Sequence, residues 1–100
     1  MTRTLTAREL AAQRNDVELI DVRRQSDRDA DPEGIAGAQW RDPEQIDQWL
    51  GELPQNKDIV IYCVRGGSVS NAVLDRLLAA GHRARYIEGG LAAWREETAR

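Results

Sequence analysis

The chain has 100 residues, of which 41% are hydrophobic and 31% charged, with a formal net charge of −3. This length and apolar content fit one domain of ordinary size. Acidic and basic residues are interspersed, which argues against a nucleic-acid-binding face. No apolar run approaches the roughly 20 residues that span a bilayer, and the N-terminus lacks the apolar segment of a signal peptide. The lone cysteine forms no internal disulfide, so we expect a cytoplasmic protein.

The first third of the chain predicts a helix, a strand and a loop. Thr6 and Glu9 match a capping box at the start of a short helix. The apolar segment VELIDVR, residues 17–23, predicts a buried strand. The segment RQSDRDADPEG, residues 24–34, is almost wholly polar and contains helix breakers, so it predicts a loop.

The rest of the chain alternates strands with helices. Asp42 and Pro43 predict the N-cap and first turn of a helix that ends at Pro54. The segment DIVIYCV, residues 58–64, is almost entirely β-branched and apolar, which is typical of a central parallel strand. Further strands are predicted at 38–40 and 84–89, with helices at 66–81 and from 89 onwards. This alternation predicts an α/β domain with a parallel sheet covered on both faces.

The only cysteine, Cys63, lies at the end of the central strand and precedes Arg65, Gly66 and Gly67. In parallel α/β sheets, ligands bind beyond the carboxyl ends of the strands. Glycines let the backbone approach a ligand closely, and successive amides entering a helix form a positive concavity. Such a concavity would stabilise a thiolate and hold an incoming anion against its sulfur. A cysteine ending a buried strand can equally be a small structural hydrophobe, and the residues alone leave both interpretations open.

Other conspicuous side chains have simpler interpretations. His82 follows a predicted helix end and is remote in sequence from Cys63, so we expect a surface histidine rather than a Cys-His pair. Asp21 and Arg23 would either support the cysteine loop or anchor their own turn. Arg24 is expected in solvent. The three tryptophans are expected to pack in the core and at its rim.

Four segments, in order and at suitable spacing, resemble the rhodanese (thiosulfate sulfurtransferase-like) family. LIDVR (19–23) resembles its second strand, and GIAGA (34–38) resembles its H-I-P-G-A element. IVIYCVRGGSVS (59–70) resembles its active-site strand and loop, and IEGGLAAW (87–94) its closing signature. The resemblance implies one α/β/α domain over residues 1–100, with a mainly parallel five-stranded sheet.

The resemblance also implies roles for the cysteine loop. Cys63 would be the nucleophile that carries sulfur as a persulfide. The backbone amides of the following loop would cradle the substrate: Val64, Arg65, Gly66, Gly67, Ser68 and Val69. The Arg65 charge would favour an anionic donor, and Ser68 or Ser70 would either cap the helix or bond the terminal sulfur. Gly34 stands where the family usually has His, so any contact of that His is missing, and the loop lacks basic residues that family loops often carry further along.

The expected activity is therefore that of a thiosulfate sulfurtransferase, with no metal and no organic cofactor. The expected partners are a small anionic sulfur donor and an acceptor that is cyanide, a thiol or a thiol protein, with no nucleic acid and no membrane. One alternative is a sulfur-relay or binding module that acts on a protein partner. Another is a Cys-dependent phosphatase, which needs an arginine six positions after the cysteine, where Val69 stands.

Overall fold

Strands and helices alternate along the chain, as the sequence predicts. The computed structural model describes residues 2–99 and contains five strands and five α-helices in that range. In chain order they are β1 (Thr4–Leu5), α1 (Ala7–Gln13), β2 (Val17–Asp21), α2 (Gln25–Ala30), β3 (Gln39–Trp40), α3 (Ile46–Trp49), β4 (Asp58–Tyr62), α4 (Ser68–Ala79), β5 (Ala84–Ile87) and α5 (Gly90–Thr98). No helix in this described part is long and apolar enough to cross a membrane.

The five strands form one all-parallel sheet in the order β1-β5-β4-β2-β3. The predicted central strand is confirmed, because β4 pairs with β5 on one side and with β2 on the other. Its side chains alternate between two cores, as the pleat requires. Ile59 and Ile61 pack with α3 and α4, while Val60 and Tyr62 pack with α1 and α5. The sequence did not predict β1, which has only two residues and depends on pairing with β5.

The prediction of a loop over residues 24–34 is wrong in part, because residues 25–30 form α2. This helix buries none of its side chains, so it carries no apolar periodicity that a sequence could show. A contact with another segment holds the helix instead, because the Arg28 guanidinium stacks 4.8 Å from the centre of the Trp40 ring. Trp40 in turn donates its indole N–H to the Arg23 carbonyl at 2.9 Å.

The predicted helix that starts after Asp42 is interrupted. Asp42 accepts the Glu44 N–H at 2.9 Å, as an N-cap should, but it caps a 3₁₀ turn, Pro43–Gln45. The short α3 follows, and a second 3₁₀ turn, Leu50–Glu52, ends the segment. By contrast, the capping box of α1 is confirmed, with Thr6 and Glu9 exchanging hydrogen bonds of 3.0 and 2.8 Å.

The histidine prediction is wrong, since His82 is buried with 5% of its surface exposed. It follows the end of α4, where its backbone N–H donates to the Leu77 carbonyl at 3.1 Å. The turn relies on Gly81, whose φ is +88°, to reverse the chain and fold the imidazole inward. The tryptophans behave as expected: Trp49 lies in the core, and Trp40 and Trp94 are half-buried.

Candidate active site

Cys63 follows β4 directly, and its thiol turns towards α4. Its neighbours Ile61 and Tyr62 face opposite cores, so the alternation of the strand directs residue 63 to the α4 side. The Ser70 hydroxyl confirms this direction, because it donates to Cys63 Sγ at 3.0 Å. Ser70 is fully buried, and Cys63 keeps 6% of its surface exposed. The sulfur is therefore covered by a polar group of the helix, in a residue that is buried.

The start of α5 holds the loop after Cys63 through two carbonyls. Leu91 N–H donates to the Cys63 carbonyl at 2.9 Å, and Ala92 N–H donates to the Val64 carbonyl at 3.1 Å. The peptide bonds of residues 2–99 are trans. In a trans peptide the C=O and the next N–H point in opposite directions. The N–H groups of Val64 and Arg65 consequently point away from α5.

Two glycines allow this close approach. Gly90 has a φ of +63°, and a Cβ built on it would lie 2.6 Å from the Cys63 carbonyl oxygen. Gly66 has a φ of +71°, and its Cβ would lie 3.1 Å from the Ile87 carbonyl oxygen. Gly67 is different, because its φ is −96° and the space around it is open. Of the loop glycines, only Gly66 is required by backbone conformation.

The structure brings the loop residues from Val64 to Val69 together around the N-terminus of α4. Their backbone N–H groups donate to no protein acceptor within residues 2–99. The N-cap of α4 is Gly67, which has no side-chain cap, so the prediction of Ser68 or Ser70 as a capping side chain is wrong. The unbonded amides add to the partial positive charge at the start of this 12-residue helix.

Val64 and Arg65 form the outer surface of the loop. Val64 is 38% exposed, and the Arg65 side chain is exposed and makes no ion pair or hydrogen bond within the described residues. Both residues line a cavity of about 310 Å³, which Asp27, Asp31 and Arg95 also line. The positive charge of Arg65 is therefore available to a ligand beside the loop.

Asp21 and Arg23 anchor their own turn, which was one of the two sequence interpretations. Arg23 is 1% exposed, and its guanidinium meets the Asp21 carboxylate at 2.8 Å. The guanidinium also donates to the Asp31 carbonyl at 2.7 Å, which ties the end of α2 to β2. Burial acts to lower the pKa of Arg23, but the hydrogen bond and charge of Asp21 outweigh it and raise that pKa.

Sequence reasoning missed the role of Tyr62, the residue before the cysteine. Its hydroxyl accepts the Ile35 N–H at 3.1 Å. A Cβ built on Gly34 would lie only 2.6 Å from the same oxygen, so the tyrosine occupies the space beside this glycine. Burial raises the pKa of Tyr62 to about 12, against the opposing effect of the Ile35 N–H. The departure from the family at Gly34 was the available signal, but the sequence does not pair it with Tyr62.

In the part of the chain that the structure describes, no cluster of His, Cys, Asp and Glu side chains could hold a metal ion. The arrangement is instead that of a parallel α/β domain with one cysteine at a central strand end, before a loop of open amides and a helix. The chain belongs to the rhodanese family, since a family model described as rhodanese-like domain matches residues 6–97.

Comparisons with individual proteins agree with this membership. A rhodanese-like domain protein from Staphylococcus aureus is 28% identical, with a TM-score of 0.79 over 93% of this chain and 91% of that one. A Rhodopseudomonas palustris protein of unknown function, described as a possible tyrosine phosphatase, is 26% identical, with a TM-score of 0.78 over 96% and 81% of the two chains. The tRNA 2-selenouridine synthase of Shewanella loihica is 38% identical over 53 residues, which are 53% of this chain and 14% of that protein.

Proposed function

We propose that this domain is a sulfurtransferase that moves sulfane sulfur from thiosulfate or a persulfide donor to cyanide or a thiol through a Cys63 persulfide. One observation carries the proposal. Cys63 Sγ accepts a hydrogen bond from the Ser70 hydroxyl at 3.0 Å, at the point where the loop enters α4, and the backbone N–H groups of this loop have no acceptor within residues 2–99. Partial positive charge at this point favours both a thiolate and the negative terminal sulfur of a persulfide. The reaction needs a free thiol, so we place it in a reducing compartment, the cytoplasm.

The reaction has two half-reactions that need no external oxidant. First, the Cys63 thiolate attacks the outer sulfur of thiosulfate, the S–S bond of thiosulfate breaks, and sulfite leaves with its electron pair. Then the acceptor nucleophile attacks the outer sulfur of the persulfide, and the Cys63 thiolate leaves. The amides from Val64 to Val69 would hold the negative charge of the outer sulfur, while the Ser70 hydroxyl stabilises the departing thiolate. Ping-pong kinetics are expected for such a covalent intermediate.

Intact mass measured after brief exposure to thiosulfate tests the proposal. The wild-type protein should gain one sulfur atom, and dithiothreitol should remove it. The Cys63→Ser variant should gain none while it unfolds at the same denaturant concentration as the wild type. Absence of the added mass in folded wild-type protein, or sulfur transfer by the serine variant, would refute the assigned nucleophile.

The role of Arg65 has a separate test. Its exposed guanidinium should attract the dianionic thiosulfate, so Arg65→Ala should slow loading from thiosulfate more than loading from an uncharged persulfide donor. Arg8→Ala, at an exposed position of α1, serves as the control for charge alone. Equal effects of Arg65→Ala on both donors would remove Arg65 from the donor site.

Selenium is a second candidate cargo, favoured by the identity to tRNA 2-selenouridine synthases. The chain spans only 14% of those relatives, so the proposal concerns the cysteine chemistry and not their action on tRNA. With selenosulfate, the Cys63 thiolate would attack selenium and release sulfite, leaving a selenium atom on the cysteine. A mass gain of one selenium atom on Cys63 after exposure to selenosulfate supports this candidate. A protein that gains sulfur from thiosulfate but no selenium from selenosulfate excludes it.

The two alternatives from the sequence predict different results. A sulfur relay to a protein would show slow turnover with cyanide and fast transfer to one protein thiol. A phosphatase would need an arginine six positions after Cys63 to bind the phosphate. The residue at that position is Val69, which is half-buried and carries no guanidinium. Incubation with a phosphotyrosine mimic should therefore give no turnover, and rapid release of phosphate would overturn the sulfurtransferase proposal.

A further inference from the structure

A cavity of about 330 Å³ lies at the edge of the sheet, away from the cysteine loop. It is lined by the first three residues of β2, which begin at Val17, and by Gly37 and Gln39. Val17 pairs with the first residue of β4, whereas Cys63 follows the last residue of that strand. The cavity therefore begins at the opposite end of the sheet from the candidate active site, and no residue of the cysteine loop lines it.

The edge of β2 that faces this cavity carries backbone groups in a known direction. Successive residues of a strand in a sheet direct their N–H and C=O groups to alternate sides. Val22 N–H donates towards β4 at 2.8 Å, and the Asp21 carbonyl accepts the Arg41 N–H on the β3 side at 2.9 Å. By this alternation, Leu19 and Val17 direct their N–H and C=O groups to the β3 side.

The strand β3 is too short to pair with all of this edge. It consists of Gln39–Trp40 alone, and a continued ladder would place Gly37 opposite Glu18. The φ of Gly37 is +86°, which takes the chain out of the extended conformation, and no backbone hydrogen bond joins it to β2. Within residues 2–99, the Leu19 N–H and the Val17 carbonyl consequently have no backbone partner on this side.

A cation without a protein partner lies beside the unpaired edge. The Arg14 guanidinium stacks 5.9 Å from the centre of the Trp94 ring, and a Cβ built on Gly37 would lie 2.8 Å from its Nη2. Within residues 2–99, Arg14 forms no ion pair and its side chain donates no hydrogen bond. The other cation of the cavity, Lys57, faces Glu18 at 3.9 Å. Arg14 is therefore held in place with its charge free to bind an anion.

The unpaired edge and the free cation together complement an extended peptide that carries an acidic side chain. A peptide offers an acceptor to the Leu19 N–H and a donor to the Val17 carbonyl, whereas a simple anion leaves that carbonyl without a donor. The Leu19 side chain packs on the α1 side of the sheet, and Arg14 directly follows α1. A carboxylate on that same side of the added strand would meet the guanidinium, which binds carboxylates well.

We propose that this edge binds an extended, acidic segment of a protein partner. The segment adds a strand beside the first residues of β2, in line with β3, and places a Glu or Asp side chain at Arg14. The site is separate from Cys63, so the inference does not depend on the proposed function.

Titration of the ¹⁵N-labelled protein with acetyl-Val-Glu-Val-amide tests the site. The Glu peptide should shift the amide signals of Leu19 and Gly37 and slow the exchange of the Leu19 N–H with solvent. Acetyl-Val-Gln-Val-amide lacks the charge and should bind about tenfold more weakly, since a hydrogen bond to a charged group has about that effect. Propionate carries the carboxylate without a peptide backbone, and it should also bind more weakly than the Glu peptide.

Variants of Arg14 separate the charge from the strand pairing. Arg14→Gln should remove the preference for the Glu peptide and leave the binding of the Gln peptide unchanged, because the edge of β2 remains. Arg14→Lys keeps the charge and should retain part of the preference. Arg8→Gln, at an exposed position of α1, is the matched control and should keep the full preference.

Three results would overturn the inference. The first is the absence of any shift at Leu19 and Gly37 with the Glu peptide. The second is a preference for the Glu peptide that Arg14→Gln retains or that Arg8→Gln loses to the same extent. The third is binding of propionate or inorganic phosphate as tight as that of the Glu peptide, which would make the cavity a site for small anions. None of these measurements uses the Cys63 thiol, so they leave the proposed function to its own test.

Discussion

The space beside Gly34 makes a quantitative prediction about stability. A Cβ at this position would lie 2.6 Å from the Tyr62 hydroxyl oxygen, well inside van der Waals contact. The φ of Gly34 is not positive, so alanine is compatible with the backbone. Gly34→Ala should therefore act through the clash alone, and removal of the hydroxyl by Tyr62→Phe should relieve it.

The magnitudes follow from the contacts. Overpacking costs about 1–3 kcal/mol, and the reduced freedom of the unfolded chain offsets about 0.4–1 kcal/mol of it. Tyr62→Phe leaves the Ile35 N–H without its acceptor, at a cost of about 1–3 kcal/mol. In the double variant the next neighbour of the new Cβ is the Asp21 carboxylate oxygen at 3.3 Å, which needs only a small adjustment. The double variant should thus be about 1–3 kcal/mol more stable than the sum of the single effects predicts.

Urea unfolding followed by tryptophan fluorescence measures these free energies. Gly51→Ala is the matched control, because nothing lies within 4 Å of a Cβ at that glycine. Its effect should be the same in the wild type and in Tyr62→Phe. Additive effects of Gly34→Ala and Tyr62→Phe would refute the reasoning, since they would mean that the tyrosine hydroxyl does not occupy the space beside Gly34.

Three further predictions concern the cysteine loop and the core beside it. Gly90→Ala should lower the free energy of unfolding in urea by about 2–4 kcal/mol, because the φ of Gly90 is +63° and a Cβ there would meet the Cys63 carbonyl. The same variant should slow the loading of sulfur onto Cys63. An unchanged loading rate would show that α5 does not position the cysteine loop for the reaction. Ser70→Ala should slow alkylation of Cys63 by iodoacetamide about tenfold, because the hydrogen bond to Sγ is lost. Ser70→Thr keeps a hydroxyl and should react at nearly the wild-type rate. A threonine variant as slow as the alanine variant would contradict a role of the hydroxyl at the sulfur. The Tyr62 pKa of about 12 lies above the unfolded value of 10.0, so its stabilising effect is complete below pH 10 and falls by about 2–3 kcal/mol towards pH 12. Unfolding free energies of wild type and Tyr62→Phe should converge over that interval, and parallel curves would contradict the prediction.

Local patterns predicted much of this fold. The β-branched run before Cys63 became the central strand, and the Thr6 capping box starts α1 at the expected residue. Both depend on groups within a few residues of each other, so the sequence displays them directly. The placement of Cys63 at a strand end before a loop and helix follows for the same reason.

The structure was needed wherever distant segments meet. α2 shows no apolar period because its support is the Trp40 ring on another element. The two-residue strand β1 exists only because β5 lies beside it. His82 is buried because Gly81 turns the chain inward, although a histidine after a helix end is more typical of a surface.

The chemistry of the candidate site divides in the same way. The sequence by itself determined that one cysteine stands at the end of the central strand and that a permissive loop and a helix follow it. The tertiary structure decided that Ser70, rather than Ser68, contacts the thiol. It also decided that backbone N–H groups of α5 bind the carbonyls of the cysteine loop. Arg24 and Glu44, which are distant in sequence, line one groove. Hydrogen-bond direction and charge placement depend on how separate elements pack in three dimensions, and the order of residues along a chain does not contain that information in readable form.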